Sequence, residues 1–184
     1  MRRFVVRVHS ILPRVVAAAL AVGAGVLPAE VVDVADNGFT VKLTVTVAAE
    51  PAKAFQALVN VGKWWDPAHT FSQDAANLSI DAKPQGCFCE RLPGKGAVVH
   101  MTVVNVVTGK LLRLEGGLGP LQSLGAAGSM TWSFQPAEKS TAVELRYAVG
   151  GYNPAGFKGL APVVDTVLRS QLERYKRYVD TGKP

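Results

Sequence analysis

The residues best equipped for chemistry lie close together in the middle of the chain. Cys87 and Cys89, the only cysteines, sit in Gly86-Cys87-Phe88-Cys89-Glu90, and His100 follows a short turn later. On a strand, Cys87 and Cys89 share one face while Phe88 and Glu90 share the other. Two residues apart on a flat strand, the thiols have Cα atoms about 6.5–7 Å apart, at the outer edge of disulfide geometry. The expected state is therefore two small side chains packed in the sheet. Metal binding and an easily reduced disulfide are the alternatives.

Register against the next strand decides what His100 can do. If Pro93–Gly96 is a four-residue loop, Cys89 faces His100 and Cys87 faces Thr102. Two thiols and an imidazole then share a patch, and with His69 they make a donor set that zinc accepts. A three-residue loop slips the pairing by one and sets His100 beside Phe88. Both registers stay open at this stage, and no metal or other cofactor is expected.

Glu90 and His69 complete the candidate acid–base set with His100. A carboxylate beneath an apolar pocket can serve as a general acid or base. On the outer face, Glu90 would instead pair with Arg91, Arg113 or Lys95. His69 follows the aromatic turn Lys63-Trp64-Trp65-Asp66-Pro67 and reaches a pocket mouth or holds its own loop near Ser72. No Gly-x-Ser-x-Gly, Walker or dinucleotide motif is present. For ligand contact the candidates are Trp64, Trp65, Phe71, Cys87, Cys89, Trp132, Tyr147 and Tyr152, with Gln171 as a polar partner.

The elements that must position these groups follow from periodicity. Thr40 to Val47 alternates as a half-buried strand. Pro51 opens a helix carrying Phe55, Leu58 and Val59 at helical spacing, followed by the short aromatic turn. Turn-bounded strands then run over residues 77–82, 86–92, 97–106, 110–116, 129–135 and 141–149. A Gly/Pro loop leads into a long helix ending near Asp180, with Val164, Val167, Leu168, Gln171, Leu172, Tyr175 and Val179 facing inward. Hairpin-length connections through the middle argue for one curved antiparallel sheet.

The first 29 residues stand apart. Arg2, Arg3, Arg7 and Arg14 precede an apolar run from Val15 to Leu27, then Pro28-Ala29. This reads as a signal peptide cleaved near Ala29, giving an exported, periplasmic or secreted protein, with an uncleaved N-terminal anchor as the alternative. Removing its four arginines takes the formal charge from +6 to +2. Nucleic-acid binding thereby loses its main support. Residues 30–184 form one domain by length.

Val45-Thr46-Val47-Ala48-Ala49-Glu50-Pro51-Ala52-Lys53-Ala54-Phe55-Gln56-Ala57-Leu58, followed by Trp64-Trp65, resembles the START-like (SRPBCC) helix-grip superfamily. That superfamily includes polyketide cyclase-like proteins and homologues of the chaperone ATPase activator. The order of elements matches over residues 40–180. Trp65–Ser72, Gly86–Glu90 and Gly117–Leu121 resemble an exported bacterial branch of it.

The resemblance implies an α+β helix-grip fold, with a curved antiparallel sheet wrapped around a long C-terminal helix and two short helices after the first strand. It also implies a cavity between sheet and helix. The expected function is binding or carriage of an apolar or amphipathic small molecule by a monomer without stable membrane insertion. The alternatives are a small cyclase, dehydratase or hydrolase-like enzyme using His69, Glu90 or His100, and a regulatory partner-binding module.

Overall fold

The computed structural model describes residues 30–184. The expected signal peptide lies outside the described residues. Eight strands form one antiparallel sheet: β1 (Glu30–Ala35), β2 (Gly38–Val47), β3 (Leu78–Ile80), β4 (Cys87–Arg91), β5 (Ala97–Val107), β6 (Leu111–Gly116), β7 (Ala126–Ala137) and β8 (Ser140–Gly151). Their order across the sheet is β1-β2-β8-β7-β6-β5-β4-β3. Helix α1 (Pro51–Val59) follows β2, and the long helix α2 (Ala161–Thr181) closes the chain. This is the α+β helix-grip arrangement.

Alternation builds the inner wall. Val41, Leu43, Val45 and Val47 on β2 are buried, as are Val143, Leu145, Tyr147 and Val149 on β8 and Met130, Trp132 and Phe134 on β7. Helix α2 lays Leu168, Leu172 and Tyr175 onto this surface. Burying each such side chain contributes about 1.5–3 kcal/mol. The Tyr175 hydroxyl donates to the Ala54 carbonyl at 2.9 Å and ties α2 to α1. At the far end, Asp180 accepts from the Ala48 amide at 2.7 Å and from Lys176 at 2.6 Å. Gly182 ends the helix in a left-handed conformation, φ 78°, a backbone state that glycine adopts without steric cost.

Strand β1 is absent from the element list read off the sequence. It pairs with β2 from Glu30↔Lys42 to Ala35↔Gly38. Its valines are largely exposed on an edge, so it shows little alternating burial.

The β4–β5 pairing combines both registers left open above. Near the turn Glu90 pairs with Val98 and Cys89 with Val99, whereas farther along Phe88 pairs with Met101 and Cys87 with Thr102. The change of register is a bulge at His100, so that His100 and Met101, adjacent in sequence, are both buried. Gly116 makes room for it. Its φ is 152°, and a Cβ there would lie 2.5 Å from the His100 carbonyl oxygen.

The thiol–imidazole patch is therefore corrected. Cys87 and Cys89 lie half-buried on the face opposite His100 and are joined as a disulfide. Their Cα atoms are 5.3 Å apart, closer than a flat strand would hold them, which brings the pair within bonding range. The soft-ligand set weighed for zinc is not assembled, and among the described residues no three of His, Cys, Asp and Glu converge on a metal position.

Candidate functional site

The site begins with a loop that has little regular structure and several anchors. Asp66 caps a single turn, Pro67–His69, by accepting from the Ala68 amide at 2.9 Å. The Trp65 indole N–H donates to the His69 carbonyl at 3.1 Å, and the Thr70 hydroxyl donates to the Pro67 carbonyl at 2.8 Å. Gln171 on α2 holds the loop from the other side, its Oε1 accepting from the Asp66 amide at 2.9 Å. That bond fixes the orientation of the side-chain amide. Nε2 of Gln171 is then the donor toward His69 Nδ1 at 3.3 Å, so His69 Nδ1 accepts and its proton resides on Nε2.

The loop then runs over Glu90. This carboxylate is 0 % exposed. It accepts from the Phe71 amide at 3.2 Å, from the Ser72 amide, and from His100 Nε2 at 3.0 Å. Burial opposes its charge, but the bonds from Ser72, Phe71 and His100 outweigh that cost and hold its pKa below the ordinary carboxylate value. Glu90 thus faces inward while the cysteines face outward, the exclusive choice that alternation imposes.

His100 is the group through which Glu90 meets the interior. Burial pushes its pKa below the ordinary histidine value, against the pull of Glu90. Near neutral pH the imidazole is therefore uncharged. Because Nε2 must donate to the carboxylate, Nδ1 carries a lone pair and no proton. That nitrogen is buried and has no partner. The ring stacks on Phe71 at 5.9 Å and 15°, with Phe88 at 5.0 Å on its flank.

Beside His100 lies a cavity of about 310 Å³. Trp65, His69, Thr70 and Phe71 form one wall, and Phe88 and His100 the strand wall. Leu118–Leu121, in the β6–β7 connection, and the first half of α2 close it. The volume is at the low end of the range for small-molecule pockets, roughly 300–1,000 Å³. Among the described residues, no lysine or arginine lines it.

Of the residues singled out from the sequence, Trp65, His69, Phe71 and His100 meet at this cavity, with Glu90 directly behind His100. Trp64 and Trp132 are packed edge to face in the core with Tyr175. Tyr147 is buried below the rim. Its hydroxyl donates to the Gly116 carbonyl at 3.0 Å and accepts from the Leu118 amide at 3.3 Å, and burial pushes its pKa up to about 12. Tyr152 is 75 % exposed beyond β8, and Gln171 acts on the loop rather than on the cavity wall.

Wall residues that the sequence did not single out for ligand contact include Phe88, Leu78, Thr70 and Leu118–Leu121. Phe88 carries a readable signal, since it shares the Glu90 face of its strand. The Leu118–Leu121 segment carries none beyond two leucines in a glycine-rich loop.

Residues 38–180 match the family model for polyketide cyclase, dehydrase and lipid-transport proteins. The chain belongs to that family. The fold also recurs among solved structures. A conserved protein of unknown function from Enterococcus faecalis superposes with a TM-score of 0.59 at 14% identity, covering 82% of this chain and 77% of that one. The Aha1 dimer from Colwellia psychrerythraea gives 0.57 at 18% identity, over 79% and 98% of the two chains. CalU16 from Micromonospora echinospora gives 0.55 at 11% identity, over 80% and 77%. At these identities the likeness is one of fold. No curated protein matches the chain. The chain is thus a ligand-binding module of the START-like (SRPBCC) type, and among the described residues no helix is long and apolar enough to cross a membrane.

Proposed function

We propose that this protein is an exported, monomeric binder or carrier of an apolar or amphipathic small molecule, held between the loop at residues 65–71 and the first half of α2. The observation that carries the reading is the cavity itself, a pocket of about 310 Å³ walled mainly by apolar side chains from the loop, the sheet and α2. Trp65, Phe71 and Phe88 supply the apolar contact. Membership of a family described by cyclisation, dehydration and lipid transport supports a ligand of that general character. Export is supported by the arginine-then-apolar leader and by the Cys87–Cys89 disulfide, a bond that persists in oxidising compartments.

Native mass spectrometry of protein isolated from the cell envelope tests this directly. A co-purifying small-molecule mass is expected on the wild type and not on Val167→Trp, which fills the cavity from α2. Repeated ligand-free spectra, or a mass retained by the filled variant, would refute the assignment.

One observation favours a second reading, a small cyclase- or dehydratase-like enzyme. A buried carboxylate that orients an imidazole and leaves its other nitrogen basic is an arrangement suited to proton abstraction. Under that reading His100 is the base, Glu90 positions it, and His69 Nε2–H is a donor at the cavity wall. His100→Gln should then abolish turnover of a substrate while ligand binding persists. Unchanged turnover would remove the reading.

A further inference from the structure

The Cys87–Cys89 disulfide lies on the outer face of the sheet, behind the cavity wall, and both residues are half-buried. Across the sheet Cys89 is flanked by Ser79 and Val99, both exposed, so the bond can be approached from the solvent side. The ring that the bond closes contains one further residue, Phe88, whose side chain points the other way. Phe88 is part of the cavity wall, its ring centroid 5.7 Å from Trp65 and 5.0 Å from His100. Glu90, the next residue beyond the ring, holds His100 and the amides of Phe71 and Ser72. Resting on the binder reading above, we propose that Cys87–Cys89 is a thiol–disulfide exchange site for a dithiol reductant, and that its redox state sets how firmly the cavity holds its ligand.

The exchange balances in two steps. A thiolate of the reductant attacks one sulfur, the S–S bond breaks, and the other cysteine leaves as a thiolate that takes up a proton. The second thiol of the reductant then resolves the mixed disulfide, freeing the first cysteine and leaving the reductant oxidised. Two electrons and two protons pass to the protein. The mechanical consequence follows from spacing. The bond holds the Cα atoms at 5.3 Å, where a flat strand would set them about 6.5–7 Å apart. Once it opens, β4 is free to lengthen by roughly an ångström between Phe88 and its neighbours. The register change with β5 falls at this same place, between Phe88 and Cys89. A shift of that size breaks a hydrogen bond of 3.0 Å, such as that from His100 to Glu90. Reduction thereby moves one wall residue, Phe88, and slackens the carboxylate that anchors the opposite wall through Phe71 and Ser72.

The neutral fluorescent probe N-phenyl-1-naphthylamine, titrated into the protein in oxidised and in reduced dithiothreitol, tests the coupling. Reduction should weaken probe binding about fivefold or more. By linkage, saturating probe should raise the ratio of reduced to oxidised dithiothreitol at half-reduction by the same factor, about 20 mV for fivefold. A second measurement needs no ligand: hydrogen exchange at the Phe71 and Ser72 amides should speed up on reduction while β2 and β8 keep their protection. Cys87→Ser with Cys89→Ser should match the reduced protein and no longer respond to dithiothreitol. A bond that dithiothreitol leaves intact in the folded protein, or equal probe affinity in the two states, would overturn the switch and leave the binder reading standing. Protection lost across β2 and β8 together with the two amides would overturn it as well, showing a bond that only stabilises. No probe bound in either state would count against the binder reading, and exchange at Phe71 and Ser72 would then decide the switch alone.

Discussion

Replacing Glu90 by glutamine should destabilise the protein through loss of an acceptor rather than loss of volume. The fully buried carboxylate receives the amides of the exposed Phe71 and half-buried Ser72 and, from the interior, His100 Nε2. Each bond to a charged group contributes about 1.5–3 kcal/mol, whereas desolvating the carboxylate costs several kcal/mol. Glutamine keeps the shape and one acceptor oxygen, but turns an NH₂ toward a donor that had been satisfied. At least one buried N–H is then stranded, at about 1–3 kcal/mol, and the remaining bonds lose their charge assistance. The expected net loss is about 2–4 kcal/mol, a sizeable part of the roughly 5–15 kcal/mol that holds a domain folded. Urea unfolding should show the midpoint falling at unchanged slope, and Tm should fall by roughly 5–15 °C. Hydrogen exchange should speed up at the Phe71 and Ser72 amides before the strands lose protection. A variant within about 0.5 kcal/mol of wild type, with those two amides still protected, would refute the account of Glu90 as the anchor of this loop.

The pair also sets a pH dependence. His100 has a folded pKa below 6.5, burial outweighing Glu90, so the unfolded chain takes up the proton first as pH falls. Its contribution is present above pH 6.5 and is lost on acidification, and Glu90, lowered from 4.5, adds a further loss below that value. Denaturation midpoints should therefore fall from about pH 6.5 downward, and His100→Phe should flatten the slope between about pH 6.5 and 5; an unaltered slope would contradict the burial argument. Tyr147→Phe should cost about 1–2 kcal/mol in urea unfolding, because the Leu118 amide and the Gly116 carbonyl both lose their partner. Cys87→Ala with Cys89→Ala should cost about 1–2 kcal/mol, the small loop entropy of so short a closure, and a loss above about 4 kcal/mol would show that the bond does more than tie two neighbours.

Much of the scaffold was readable because its faces alternate cleanly. Residues 41, 43, 45 and 47, and 143, 145, 147 and 149, declare a buried face at period two, and the stripe from Leu168 to Tyr175 declares the helix. Strand β1 escaped because an exposed edge writes no such pattern, although Asp36-Asn37-Gly38 carries a hairpin turn signal. The site was half legible. Alternation was enough to make Glu90 and the cysteines exclusive, but not to say which faced in. Aromatic content could not separate lining from packing: Trp65 borders the cavity and Trp64, its neighbour, fills the core with the same kind of side chain. Register was the hardest quantity, since neither continuous pairing is the one found.

The bulge at His100 gives that last point a wider meaning. Strand alternation works as a two-beat rhythm, and β5 changes beat twice: inward positions are Val98 and His100, then Met101 and Val103, then Val106 after a second irregularity between Val103 and Asn105. Opposite the first change, β4 spends only the two steps from Cys87 to Cys89 where β5 spends three, from Val99 to Thr102. The imidazole therefore reaches Glu90 through a mismatch in length between two neighbouring strands, much as a vernier brings one mark into line. Deleting a single residue before position 100 would leave the dyad's atoms in the chain and turn its imidazole outward, so the site is inherited as a count of residues as much as a choice of them.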